Sequence, residues 1–145
     1  GVVIGSGPEE KALRRAFPSI RWTGWQPPDA VRTMLRKARC LVFPSVLYET
    51  QGLVVREAAA LGVPAIVSDV TAAREWVDPG RNGLLFASGS PDSLTEKIIQ
   101  LRDNDSLAAT LGKEAYRRYW DRPTTTADHA EALLGVYEKV LASPR

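Results

Sequence analysis

The chain has 145 residues, of which 44% are hydrophobic and 25% are charged, and its formal net charge is +2. These values are typical of a single ordinary globular domain that can bury a substantial core. A nearly neutral chain lacks the basic stripe of a nucleic-acid-binding protein, so no nucleic acid is expected as a partner. No apolar run approaches the roughly 20 residues of a membrane-spanning helix.

Few side chains are available for metal binding or for nucleophilic catalysis. Cys40 is the single cysteine and His129 the single histidine. A cysteine zinc site and an internal disulfide framework are therefore excluded, as are most catalytic and metal sites that depend on histidine. A lone cysteine favours a reducing environment, and we predict a cytoplasmic protein.

Short apolar runs alternate with amphipathic segments along the chain, and glycine, proline and polar residues separate them. The predicted strands lie at 2–4, 20–23, 40–43, 64–67 and 83–86. The predicted helices lie at 8–17, 28–38, 52–61, 72–77, 91–102, 106–119 and 126–141. Asp92 and Ser106 are the expected N-caps of two of these helices. The third strand is apolar throughout, which predicts that it is buried on both faces.

This alternation predicts an α/β fold, with a Rossmann-like parallel sheet covered by helices. Ligands of such sheets bind beyond the carboxyl ends of the strands. The loops at 5–8, 24–28, 44–51 and 68–73 are therefore the places to expect a site.

The loop at 44–51 and the helix after it hold the most informative pattern. Glu49 follows a buried strand, Gly52 turns the chain into the helix, and Glu57 lies four residues beyond Leu53 on the same helical face. The first N–H groups of a helix are unpaired and favour phosphate. Two carboxylates beside such a helix end suit a ligand that carries both phosphates and hydroxyl groups.

Both glutamates also allow simpler interpretations. A glutamate in a loop, such as Glu49, is usually solvated. Glu57 lies among valines and alanines, where a carboxylate rarely occurs unless it is paired. A structural salt bridge from Glu57 to Arg74 or Arg81 would satisfy that requirement without any ligand.

The glutamates and the sequence around them resemble the signature of the group 1 glycosyltransferases. Glu49 and Glu57 are separated by seven residues, and the second is followed by Ala-Ala-Ala-Leu-Gly-Val-Pro-Ala-Ile-Val-Ser. The resemblance extends to the Gly-x-Gly-Pro turn at 5–8, the Ile-Arg-Trp-Thr-Gly run at 20–24, the Val-Phe-Pro-Ser run at 42–45, Glu75, and the segment at 80–85. This family consists of retaining enzymes with the GT-B fold, in which two Rossmann-like domains face each other.

The resemblance implies a role for each matching position. Glu49 corresponds to the glutamate near the reacting face of the donor sugar, which makes it the candidate catalytic residue, and Glu57 corresponds to the glutamate that holds the ribose hydroxyls. The other residues implied to border the donor are Gly52, Leu53, Val54, Gly5, Ser6, Gly7, Gly24, Trp25 and Ser45. The donor substrate would be a nucleotide diphosphate sugar, and the resemblance implies neither a required metal nor a cofactor.

The chain departs from the family pattern at several points. Gln51 occupies a position that is often aromatic, and Ala72 and Ala73 replace paired glycines. The family's strand and helix that carry an Arg and a Lys for the diphosphate have no counterpart here. We therefore expect a fold truncated at its N-terminal edge, with no N-terminal acceptor domain. The segment 123–145 would include a closing helix that crosses to that domain.

The resulting hypothesis is that residues 1–145 form the donor-binding domain of a retaining glycosyltransferase, which would be inactive alone. Any peripheral membrane contact is expected only through the absent domain, and the exposed apolar surface of the fragment favours self-association.

Two alternatives remain open. One is a sugar-nucleotide epimerase of the same fold, and the other is a non-catalytic α/β module, either a degenerate transferase or a receiver-like domain. The sequence specifies neither the base, the sugar nor the acceptor.

Overall fold

The computed structural model describes residues 1–47, 49–121, 123 and 125–142. Its strands are β1 (Val2–Val3), β2 (Arg21–Trp22), β3 (Leu41–Phe43), β4 (Ala65–Ser68) and β5 (Gly83–Phe86). Its α-helices are α1 (Glu10–Ala16), α2 (Pro28–Leu35), α3 (Leu53–Ala60), α4 (Pro91–Arg102), α5 (Asp105–Asp121) and α6 (Thr126–Ala142). A 3₁₀ segment, Ala72–Trp76, lies between β4 and β5.

Parallel strand pairing and flanking helices confirm the predicted α/β class. The strands are divided between two sheets, β1–β2 and β3–β4–β5, instead of forming the single sheet that was expected. In the larger sheet Ile66 pairs in register with Val42 on one side and with Leu84 on the other. The smaller sheet has strands of only two residues, so few ladder hydrogen bonds hold it together.

The central strand β4 organises the core because it is buried on both faces. Successive side chains of a strand point to opposite faces. Ile66 accordingly packs with Leu101 and Leu111, from α4 and α5, on one face. Val67 packs with Val55 and Val77, from α3 and the chain beyond the 3₁₀ segment, on the other face.

Two local predictions were wrong. Strand β3 is only half-buried along its length, because β4 is its one strand partner among the described residues. The predicted caps were also misplaced. The hydroxyl of Ser90 accepts from the Ser93 amide at the start of α4, and Asn104 Oδ1 accepts from the Leu107 amide at the start of α5. Each helix therefore starts slightly earlier than the caps Asp92 and Ser106 would require.

The first part of the chain contributes little to this core. Among the described residues that precede Leu35 none is buried, and Val2 and Ile4 are 48% and 39% exposed. Helix α6 also has no buried residue. The well-packed region therefore runs from α2 to α5.

Candidate functional site

The loop before α3 places Glu49 against the 3₁₀ segment. Glu49 is half-buried, and its Oε1 accepts a hydrogen bond from the amide of Ala73 at 3.4 Å. Its Oε2 is buried and has no hydrogen-bond partner among the described residues. The interpretation of Glu49 as a solvated loop residue is therefore wrong. One carboxylate oxygen is held by the protein, and the other is unpaired.

Gly52 makes the turn that starts α3. Its φ of 58° lies in the left-handed region, which glycine enters without steric cost. The first amide of the helix that donates to a preceding carbonyl is that of Val55, which donates to the Gly52 carbonyl at 2.9 Å. Within the described part of the chain, the amides of Gly52, Leu53 and Val54 have no hydrogen-bond acceptor. This helix start thus offers the unpaired donors that the sequence predicted.

Glu57 lies on α3 with its side chain exposed. The alternative of a salt bridge to Arg74 or Arg81 is wrong. Arg74 donates instead to the carbonyl of Asp69, and Arg81 pairs with Asp78 and Glu114. No other described residue forms a hydrogen bond or an ion pair with Glu57. Its carboxylate is therefore available to a ligand.

The turns after β1 and β2 meet each other. The Gly5 amide donates to the Gly24 carbonyl at 2.8 Å, and both glycines have positive φ, 125° and 68°. Trp25, which follows, is 75% exposed, so its ring is accessible to a planar partner. This hydrogen bond thus connects two loops of the predicted site that are far apart in the sequence.

An open cleft of about 400 Å³ lies beside the first of these turns. Ser6 and Gly7 line it together with Glu9, Glu10 and Trp22. No Lys or Arg contributes to its wall, and neither Glu49 nor Glu57 is among its lining residues. The cleft is therefore separate from Glu49 and Glu57 in this structure, and its wall supplies no cation for a diphosphate.

Ser45 differs from the other candidates because its hydroxyl is already engaged. The Ser45 hydroxyl accepts a hydrogen bond from the Leu47 amide and donates one to the Leu47 carbonyl, each at 3.4 Å. Such local bonds stabilise a turn. In this structure Ser45 shapes the loop that leads to Glu49.

Sequence reasoning overlooked one contributor to the site, the backbone amide of Ala73. A backbone donor carries no side-chain signature, and Ala73 lies 24 positions from Glu49. Only the packing of the 3₁₀ segment against the loop brings the two together.

The described residues contain neither a group of metal ligands nor a membrane-spanning helix. No three His, Cys, Asp or Glu side chains come together in a group that could hold a metal ion. None of the described helices combines the length and apolar character needed to cross a membrane.

Comparison with known proteins identifies the family. The sequence profile described as "Glycosyl transferases group 1" matches residues 1–104. The phosphatidyl-myo-inositol mannosyltransferase of Mycobacterium leprae is 30% identical over 149 aligned positions, which cover 98% of this chain and 38% of that protein. The O-antigen chain mannosyltransferase B of Escherichia coli is 33% identical, over 86% of this chain and 32% of its own length. The chain belongs to the group 1 glycosyltransferases.

Solved structures agree with this assignment. Sucrose-phosphate synthase from Thermosynechococcus elongatus superposes with a TM-score of 0.82 at 25% identity, over 99% of this chain and 39% of that one. The Anabaena protein HepE, solved with UDP and glucose, superposes with a TM-score of 0.81 at 18% identity, over 94% of this chain and 40% of that one, which shows the shared fold. These neighbours are GT-B glycosyltransferases. The chain thus spans about two fifths of the solved relatives.

Proposed function

We propose that the chain is the donor-binding part of a retaining glycosyltransferase, a protein that transfers a sugar from a nucleotide diphosphate sugar to an acceptor. The observation that supports this most directly is the start of α3. In the described part of the chain the amides of Gly52, Leu53 and Val54 have no acceptor, and in sequence they lie between a half-buried carboxylate, Glu49, and an exposed one, Glu57. Free amides at a helix start suit phosphate oxygens, and carboxylates accept hydrogen bonds from sugar hydroxyls.

In the proposed reaction, the bond between the anomeric carbon and the diphosphate oxygen breaks, and the nucleotide diphosphate leaves with the electron pair. The acceptor hydroxyl oxygen then forms a bond to the anomeric carbon on the same face of the sugar, and its proton passes to the departing diphosphate. The amides of α3 would stabilise the charge that develops on the leaving group. Glu49 would lie at the reacting face, and Glu57 would hold the ribose.

The turns at 5–7 and 24–25 complete the proposed donor site. Gly5, Ser6 and Gly7 would border the diphosphate, and Gly24 with Trp25 would border the base. The hydrogen bond between Gly5 and Gly24 supports a common role for the two turns. Ser45 would act through the loop that it stabilises. Residues 1–145 would form the C-terminal domain, and 123–145 would include the closing helix. A cytoplasmic location is also part of the proposal, and the lone Cys40 supports it.

Titration calorimetry with UDP-, GDP- and ADP-sugars tests the donor assignment. We expect one nucleotide to bind in preference to the other two, with a Kd near millimolar for this chain. The described wall of the Gly5 cleft supplies no Lys or Arg, and each charge-assisted phosphate contact contributes about 1.5–3 kcal/mol. Low-micromolar binding would show that cations elsewhere neutralise the diphosphate. No heat with any of the three donors would contradict the donor-binding role.

A further inference from the structure

We propose that Ala73 is a positioning residue, whose amide fixes the orientation of the Glu49 carboxylate. The proposal rests on the proposed function for its consequence in catalysis, and on geometry alone for the contact itself. The Ala73 amide donates to Glu49 Oε1 at 3.4 Å across 24 positions of sequence. Ala73 is completely buried, so no water competes for this donor.

The position of Ala73 in the 3₁₀ segment explains why its amide is available. The first N–H groups of a helical segment have no acceptor within it. The first amide of this segment that donates to a preceding carbonyl is that of Arg74, which donates to the Thr71 carbonyl at 3.2 Å. The Ala73 amide precedes it, and Glu49 Oε1 is its acceptor among the described residues. A buried amide without an acceptor would cost free energy, so this contact satisfies both partners.

Gly52 packs into the same contact. A β-carbon on Gly52 would lie 2.5 Å from the β-carbon of Ala73 and 3.2 Å from Glu49 Oε1. The loop carboxylate, the start of α3 and the 3₁₀ segment therefore meet at one point, which we call the Glu49–Gly52–Ala73 cluster. Its close packing leaves Glu49 little room to rotate.

The cluster distinguishes the two carboxylate oxygens of Glu49. Oε1 is committed to Ala73, whereas Oε2 is buried and has no partner in the described part of the chain. A buried acceptor without a donor is unfavourable. The contact with Ala73 therefore leaves Oε2, rather than Oε1, as the oxygen that lacks a donor, and under the proposed function a sugar hydroxyl that reaches Oε2 would supply it.

Nuclear magnetic resonance of the uniformly ¹⁵N-labelled chain at one fixed, neutral pH tests the contact without any ligand. We expect the Ala73 amide proton to lie further downfield in the wild-type chain than in Glu49→Gln, because a charged carboxylate oxygen is a stronger acceptor than an amide oxygen. The Ala72 amide, which should not move between the two chains, serves as the internal reference. An Ala73 resonance at the same position in both chains, or an equal shift at Ala72, would overturn the proposal.

A rescue experiment tests the packing of the cluster. We expect Gly52→Ala to raise the unfolding equilibrium constant about tenfold or more, because the new methyl group meets Ala73. Ala73→Gly should recover part of that loss in the double variant and should restore the dependence of the amide resonance at position 73 on Glu49→Gln. Ala72→Gly, the matched control, should recover neither. Equal recovery by the two glycine substitutions would contradict a specific role for Ala73.

These results are independent of donor binding. If the Ala73 amide resonance responds to Glu49→Gln but no nucleotide sugar binds, the positioning contact stands and the proposed function fails. If a donor binds but the resonance does not respond, the proposed function stands and the role of Ala73 is wrong.

Discussion

The carbonyl oxygen of Gly62 occupies the space that a β-carbon on Gly112 would need. Gly62 ends the turn after α3, with φ of 74°, and Gly112 is buried in the middle of α5. The absence of a side chain at 112 thus allows α5 to approach the chain that leads into β4. Helix α5 packs on the same face of the sheet as α4. Its close approach to Gly62 requires a glycine within a helix, which ordinarily costs about 0.5–1 kcal/mol relative to alanine.

We therefore expect Gly112→Ala to destabilise the protein by about 2 kcal/mol. Overlap with backbone in a packed interior costs about 1–3 kcal/mol, which outweighs the gain of up to about 1 kcal/mol in helix propensity. Urea unfolding followed by circular dichroism measures the difference. Gly135→Ala in α6 is the matched control, because nothing lies within 4 Å of its new methyl group. The control should be neutral or stabilising by up to about 1 kcal/mol. Equal effects at the two positions would contradict the close approach.

We expect Glu57→Gln to weaken donor binding and to leave stability unchanged. The Glu57 side chain is exposed and has no partner among the described residues, so its loss should alter the free energy of unfolding by less than about 0.5 kcal/mol. A carboxylate can accept from two ribose hydroxyls, whereas an amide offers one oxygen and two misplaced donors. Loss of contacts of this kind corresponds to a roughly tenfold to hundredfold higher Kd.

The measurement for Glu57 is donor KM in the intact enzyme that contains this chain, with thermal unfolding as the check on the fold. Glu131→Gln on α6 is the control, because that glutamate is also exposed and lies outside the proposed site. An unchanged donor KM in Glu57→Gln would remove Glu57 from the ribose-binding role.

Helix α6 should mediate association of the isolated chain with a second copy. Its apolar residues Leu134, Tyr137 and Leu141 recur at helical spacing and are 60%, 55% and 85% exposed. Exposed apolar surface of this kind favours association. Light scattering should show an apparent mass that rises with concentration, and Leu134→Lys with Leu141→Lys should abolish the rise.

Ala132→Lys is the control for α6, because it adds one positive charge, against two in the double variant, on the opposite side of the helix. It should leave the association unchanged. A constant monomeric mass across the concentration series would show that the exposed face of α6 does not self-associate.

Cys40 should react slowly with iodoacetamide in the folded protein. Burial raises the pKa of its thiol, and the neighbouring positive charge of Arg39 offsets this only in part. The reactive species is the thiolate, so the folded chain should be alkylated more slowly at pH 8 than the urea-unfolded chain. Because the unfolded thiol loses its proton first, stability from this group is lost as the pH rises above about 8.5. Equal alkylation rates in the two states would contradict the burial of Cys40, and Cys40→Ala gives the blank.

The sequence by itself determined the order of elements, the α/β class and the family. Strand β5 and helix α4 lie at the predicted positions, because glycine and proline mark their starts and their apolar patterns are clear. The start of α3 at Gly52 was also predictable, since glycine next to an apolar helical pattern indicates a sharp turn into a helix. The candidate roles of Glu49 and Glu57 came from their spacing and from the family resemblance of the sequence around them, neither of which needs knowledge of the tertiary structure.

Only the tertiary structure decided how those pieces combine. Local patterns specify a strand but not its neighbours, so the division of the strands into two sheets was not predictable. The partners of the two glutamates depended on long-range packing. Glu49 is held by the amide of Ala73, which no side-chain pattern could reveal, and Glu57 lacks the ion pair that its apolar surroundings suggested. Contacts between distant segments are set by the packing of the core, and this is the physical reason why the sequence identified the residues and the fold determined their relationships.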